Sequence, residues 1–182
     1  RTTGALLPQS LGGRLRLVID SGSPAGIASF DSFIFVRQAG ALDTSFGNGQ
    51  GYTNAASDGP IALGRKGEIL QLTPNGFVAY TPDGSARKPV RFSIKGFIAS
   101  QFQVLSSGDL MVLGQIASGA AALARFSSAG RANAAFGDRG TLRLPFKPAG
   151  FGVQPSGELI IFDSWHAVRL NDRGKIDLTF GA

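Results

Sequence analysis

The chain has 182 residues, 43% of them hydrophobic, which is enough apolar material for a core and excludes a disordered chain. It carries no cysteine and a single histidine, so a disulfide framework, a thiolate metal centre and a multi-histidine metal centre are excluded. The formal net charge is +6 with only 16% charged residues, so uncharged polar groups and backbone must fill much of the surface, and basic faces attract anionic partners.

The first residues, Arg1-Thr-Thr-Gly-Ala-Leu-Leu7, lack the charged-then-apolar order of a signal peptide. Since the chain does not open on Met, a fragment or a mature product is expected. The run Leu110 to Ala124 is too short for a transmembrane helix and is interrupted by Gly114, Gln115 and Gly119, so a soluble chain without membrane insertion is expected. Glycine supplies 26 residues, which suits many tight turns with positive φ.

Taken in order, the chain first offers Gly13-Arg-Leu-Arg-Leu-Val-Ile19, a short apolar run opening on glycine. The same element returns at Gly67–Leu72, Gly108–Leu113 and Gly157–Phe162, each time after small or polar turn residues. Such runs bounded by turn chemistry predict strands. A second strand is predicted at Phe33–Val36, Gly76–Tyr80, Ala122–Ala124 and Ala167–Val168. Further strands are predicted at Pro89–Ile94 and Gly140–Leu144, and at Phe97–Ile98 or Phe102–Leu105. No segment carries helical periodicity with caps.

A turn signature follows the second strand. It reads Gly40, Asp43, Phe46, Gly47, then Gly130, Asn133, Phe136, Gly137, and finally Gly174, Asp177, Phe180, Gly181. A worn copy is anchored on Gly84, where Arg87, Val90 and Arg91 replace the later residues. The intervals between the anchoring glycines Gly40, Gly84, Gly130 and Gly174 are 44, 46 and 44 residues. A near-constant period of this size marks a repeat architecture. Each residue type has a structural reason. The anchoring glycine takes positive φ, the Asp or Asn closes an Asx-turn, the phenylalanine plugs the gap between adjacent sheets, and the last glycine lets the backbone reverse. The worn copy, having lost Asp, Phe and Gly, is expected to have a remodelled turn.

The repeats predict an all-β fold: a β-propeller-like array of about four blades of short antiparallel strands. Apolar runs such as Leu159–Phe162 have no polar face, so both sides of each small sheet are expected to be covered. A parallel β-helix would repeat at a shorter period, and a sandwich does not need four similar units. The expected organisation is a single domain over 1–182, with repeats at 1–56, 57–95, 96–147 and 148–182. The last copy has no counterpart of Gly140–Leu144, so an arc of a larger propeller is expected, with a four-bladed ring as the alternative.

The stretch Val168-Arg-Leu-Asn-Asp-Arg-Gly-Lys-Ile-Asp-Leu-Thr-Phe-Gly181 resembles the delta-60 repeat of bacterial proteins, and Gly108–Gly114 resembles the hairpin that precedes it there. The resemblance touches all four copies and is specific in three. It implies a propeller-type repeat protein, secreted or exposed at the cell surface, without an established enzymatic activity. The chain departs from that pattern at Phe35 and Ala79, which stand where Arg125 and Arg169 stand in the later copies.

Motifs that carry chemistry are sparse. His166 neighbours Asp163 and Ser164, but on a strand Asp163 would point away from the other two, and a triad is defined by geometry. The glycines of Phe46-Gly-Asn-Gly-Gln-Gly51 lack the strand and helix of a dinucleotide site. Asn171-Asp-Arg-Gly174 offers too few acids for a calcium loop. No catalytic, cofactor-binding or metal residue is therefore assigned, and no cofactor is expected. The local excess of charge runs from Arg65 to Lys95, and Arg87, Lys88, Arg91 and Lys95 form a candidate anion-binding cluster. Phe92 and Phe97 lie nearby and could stack on bases or sugars. The competing structural reading is an outer sheet edge protected by cations.

The functional expectation is a non-enzymatic scaffold or binding module presenting loops to a protein or glycan. A propeller hydrolase or lyase acting on an anionic polysaccharide is the alternative. Nucleic-acid binding through the basic stretch ranks below both.

Overall fold

A computed structural model of the chain describes residues 32–34, 36–38 and 41–181. The run Gly13–Ile19, Phe35 and the anchoring Gly40 lie outside the described residues. Those described form fifteen strands joined by turns, with no helix among them. The strands are β1 (Ser32–Ile34), β2 (Val36–Gln38), β3 (Ala41–Leu42), β4 (Tyr52–Asn54), β5 (Ile61–Leu63), β6 (Ile69–Thr73), β7 (Gly76–Tyr80) and β8 (Val90–Arg91). They continue as β9 (Ile98–Val104), β10 (Leu110–Gln115), β11 (Ala121–Phe126), β12 (Thr141–Arg143), β13 (Gly150–Val153), β14 (Leu159–Phe162) and β15 (Ala167–Leu170). Every strand pair whose register is resolved is antiparallel. The fold is all-β and propeller-like.

The chain divides into two compact units, Arg1–Thr73 with Phe77–Pro89, and Pro74–Gly76 with Val90–Ala182. In the first, β1 pairs with β4, β2 with β3, and β5, β6 and β7 lie side by side. Phe46, Ile69, Val78 and Tyr80 form its buried cluster, with Ile61 packed against them. The predicted strand Phe33–Val36 is split: its first part pairs with β4 and its last residue belongs to β2, which pairs with β3.

The second unit holds two antiparallel sheets, in the orders β12-β11-β10-β9 and β13-β14-β15. Their shared core contains Met111, Leu113, Leu123, Phe136, Leu144, Phe151, Leu159, Ile161 and Leu170. Burying each such side chain contributes about 1.5–3 kcal/mol, offset by the entropy of ordering it. Strand β10 is buried from Leu110 through Gly114, so both faces are covered, as a run without a polar face requires. The two predicted candidates before it merge into the single strand β9, which stays paired across an irregularity between Leu113 and Gly114. The predicted Pro89–Ile94 strand shrinks to Val90–Arg91. Proline has no N–H to donate, and beyond Arg91 the backbone leaves for other partners: the Phe92 N–H donates to the Asn75 carbonyl and that of Ser93 to the Gly130 carbonyl.

Neighbouring sheets of the second unit are tied at their first strands. Gln101 Nε2 donates to the Ala149 carbonyl at 3.2 Å, and Gln103 Nε2 to the Phe151 carbonyl at 3.3 Å. The Val153 N–H returns a bond to Gln103 Oε1 at 3.0 Å. The two-residue step on both strands means that β9 and β13 run in the same direction, so their first residues lie at the same end.

Candidate functional site

The turn signature is built from its own polar side chains. Oδ1 of Asp43, Asn133 and Asp177 accepts the N–H two residues on, from Ser45, Ala135 and Thr179 at 3.0, 3.1 and 2.9 Å. The phenylalanine then reaches the turn of the following copy. A Cβ placed on Gly84 would lie 2.8 Å from the Phe46 ring, and one on Gly174 3.2 Å from the Phe136 ring. In the same places the Gly47 N–H donates to the Asp83 carbonyl at 2.8 Å, and the Gly137 N–H to the Arg173 carbonyl at 3.0 Å. Both rings are 1% exposed, whereas Phe180 is 37% exposed and lies under the Arg169 guanidinium, 5.0 Å from its ring centroid.

The worn second copy keeps its turn, contrary to the expectation of remodelling. The Arg87 N–H donates to the Ala79 carbonyl at 2.8 Å, as Asn133 does to Arg125 and Asp177 to Arg169. The isolated bridge Tyr80–Ala86 matches Phe126–Ala132 and Leu170–Ile176. The turn survives because backbone bonds and Gly84, at φ 88°, carry it, and neither depends on the lost side chains. Polar caps within the turn help: Thr81 in this copy, Ser127 and Asn171 in the later ones, each accept the N–H four residues on.

Nothing in the sequence marks the partners of the later copies' arginines. Arg125 Nε bonds Asp109 Oδ2 at 2.9 Å, and Asn133 Nδ2 bonds the same oxygen at 3.3 Å. This ties the Gly108 hairpin to the signature turn. In the last copy Arg169 holds Asp177 at 2.7 Å. Bonds from the Thr179 hydroxyl and N–H, and then from Arg169, hold the Asp177 carboxyl below its ordinary value of 3.8. Asp83 is lowered likewise, by the Thr81 hydroxyl first and the Ser85 N–H second. Also unforeseen was a buried polar group in the first unit. Gln71 is fully buried; its Oε1 accepts from the Tyr80 hydroxyl at 2.9 Å and the Ala56 N–H at 2.8 Å, and its Nε2 donates to the Ser57 carbonyl. Burial pushes the Tyr80 hydroxyl above its usual pKa.

These carboxylates have lower pKa values folded than unfolded, so the unfolded chain takes up protons first as pH falls. Their stabilisation is complete above the ordinary carboxylate range and disappears as pH drops through the lowered values. Thermal melts should therefore hold level from pH 7 to about 5 and fall below about pH 4. Asp177→Asn should flatten part of that fall; a variant with the same acid profile as the parent would refute the assignment.

The four candidate anion-binding residues are all exposed, with Arg87 and Lys88 in the first unit and Arg91 and Lys95 in the second. The aromatic partners suggested for them are engaged internally. Phe92 stacks on Phe126 with centroids 4.1 Å apart, and Phe97 is buried edge-on to both rings. Neither is presented for stacking on a ligand.

The Asp163–His166 segment is a turn between β14 and β15, correcting the strand geometry expected for it. Asp163 Oδ1 accepts the N–H of Trp165 and of His166, both at 2.7 Å, and the Asp163 N–H donates to the His166 carbonyl at 3.0 Å. Those two backbone donors, ahead of His166, lower the Asp163 pKa. His166 Nδ1 comes within 3.3 Å of the Asp163 carboxylate, while the carboxylate's role is to close the turn. Trp165, at the tip, is 88% exposed. No group of three or more potential metal-ligating side chains occurs among the described residues.

No family model matches the chain, and no curated protein matches it. Solved structures similar to it include virginiamycin B lyase from Staphylococcus aureus, at TM-score 0.46 and 18% identity over 64% of this chain and 39% of that one. Another is a protein of unknown function from Bacteroides caccae, at TM-score 0.50 and 15% identity over 96% of this chain and 64% of that one. The chain spans less than two thirds of the length of either. The second likeness is one of fold.

Proposed function

We propose that the chain is a non-enzymatic repeat scaffold, a binding module of a secreted or surface bacterial protein that offers its inter-strand loops to a glycan. The observation that supports this is where the polar side chains go. The carboxylates of Asp43, Asp109, Asp163 and Asp177 are each spent on turns or on arginines that hold the fold. Outward the loops offer the Trp165 ring and cations such as Lys88 and Lys147 beside the exposed acids Asp58, Asp138 and Asp172, a mixed surface on which the ring suits binding by shape and stacking.

Electrophoresis through gels containing dextran, polygalacturonate or xylan tests the reading, with reducing-end assays on the same incubations. Retardation by at least one polysaccharide without new reducing ends is expected. Mobility unchanged in all three gels, or release of reducing ends, would overturn it.

A further inference from the structure

One end of the second unit gathers exposed aromatic and basic groups that no structural bond consumes. Because β9 and β13 start at the same end, Ile98 and Gly150 open the two strands there. β14 finishes beside them, with Phe162 opposite Gly150 in register and its carbonyl accepting the Ala149 N–H. Ile98 is 56% exposed and Phe162 43%. The Phe162 ring lies over Gly150, where an added Cβ would come within 2.9 Å of it. Lys95 precedes β9 by three residues and Lys147 precedes β13 by three, and both are exposed. Beyond Phe162 the chain enters the turn that carries Trp165.

An indole this exposed contributes little to the core and is open to contact, and its backbone is already fixed. Both N–H groups at the tip are held by one carboxylate oxygen, so little further entropy is lost when the ring meets a ligand. A flat aromatic face packs against the C–H face of a pyranose ring, and lysines at the same end of the sheets select for negative charge. The only acid in the turn, Asp163, has its carboxylate turned to the backbone and to His166, so it adds little repulsion.

We propose that Trp165 and Phe162, flanked by Lys95 and Lys147, form a binding subsite for an anionic polysaccharide of the uronate type, Trp165 stacking on a sugar ring and the lysines meeting its carboxylates. This rests on the glycan-binding reading above and names its site.

Trp165 is the sole tryptophan, so its emission reports the site directly. Titration with oligogalacturonate should change that emission saturably, with an apparent affinity that falls as salt rises. Dextran oligosaccharides should bind more weakly. In polygalacturonate gels, Trp165→Ala should lose about tenfold or more of the affinity, as truncation of a central aromatic anchor does, and Trp165→Phe should recover part. The double change Lys95→Ser with Lys147→Ser should weaken oligogalacturonate and leave dextran unaffected. Trp165→Ala should melt with the parent, because so exposed a ring contributes little to the core.

Retardation that Trp165→Ala leaves unchanged would overturn the subsite while leaving glycan binding intact. Equal response to the neutral and anionic oligosaccharides would overturn the charge selection. A chain retarded by no polysaccharide would refute the underlying reading and this site with it.

Discussion

Phe136→Ala is expected to lower the unfolding free energy by about 3–5 kcal/mol, and Phe180→Ala by about 1 kcal/mol or less. The two residues hold the same place in the repeat, yet only Phe136 is followed by a further copy within these 182 residues. Phe136 is 1% exposed, packed in the cluster with Leu123, Leu159 and Leu170, and its ring edge touches the turn at Gly174. Truncation there removes a large apolar surface and leaves a cavity walled by two sheets and a turn, none of which collapses freely. Phe180 keeps more than a third of its surface in water and contributes chiefly a cation–π contact with Arg169. Urea titrations of both variants check this, and equal losses would show that Phe136 does not join successive copies.

Gly130→Ala is expected to cost about 2–4 kcal/mol, and Gly157→Ala about 1–2 kcal/mol. Both glycines have positive φ, 76° and 101°, so each substitution meets the same class of backbone strain. They differ in what stands nearby. A Cβ on Gly130 would lie 2.2 Å from the Arg91 carbonyl oxygen and 2.9 Å from Val90 Cγ1, whereas one on Gly157 meets nothing within 4 Å. The Arg91 carbonyl cannot withdraw easily, because the Ser93 N–H is bonded to the Gly130 carbonyl at 2.9 Å and the Ser93 hydroxyl accepts the Ala132 N–H at 2.9 Å. Gly157 has the larger φ, so strain alone would make its substitution the costlier, and a greater loss at Gly130 reports the close approach. Denaturation midpoints that fall together would show that Val90–Arg91 does not seat on this turn.

That seating explains how the worn copy works. Where other copies place Phe-Gly against the next turn, this one places Val90 and the Arg91 carbonyl against Gly130. The loss of Phe and Gly looked like a broken rule in the sequence, yet the contact is made by a different pair of groups. Backbone turns tolerate such exchange because their bonds are between main-chain atoms, which every residue but proline supplies in full.

The candidate site was less legible than the fold. Asp163, Ser164 and His166 are sequence neighbours with the chemistry of a reactive trio, yet the turn uses Asp163 as a backbone cap. Trp165, between them, carries no signal in the sequence, since an indole's exposure depends on what else arrives at that place. Phe92 and Phe97 looked available for stacking and are instead packed with Phe126. In each case the local string is the same whether a ring faces water or a neighbour, and only chain segments distant in sequence decide.

By itself the sequence determined what depends on local chemistry and period: strands rather than helices, glycine at the tight turns, Asp or Asn closing them, and a repeat near forty-five residues. These follow from short-range sterics and hydrogen bonds, which act within a few residues and so are written in consecutive letters. Tertiary structure alone decided that Phe92 and Phe97 pack against Phe126. It also decided that Gln71 is buried among its partners, and that Trp165 is exposed in the turn that follows Phe162. Those outcomes depend on which surfaces meet, and burial is a property of the meeting.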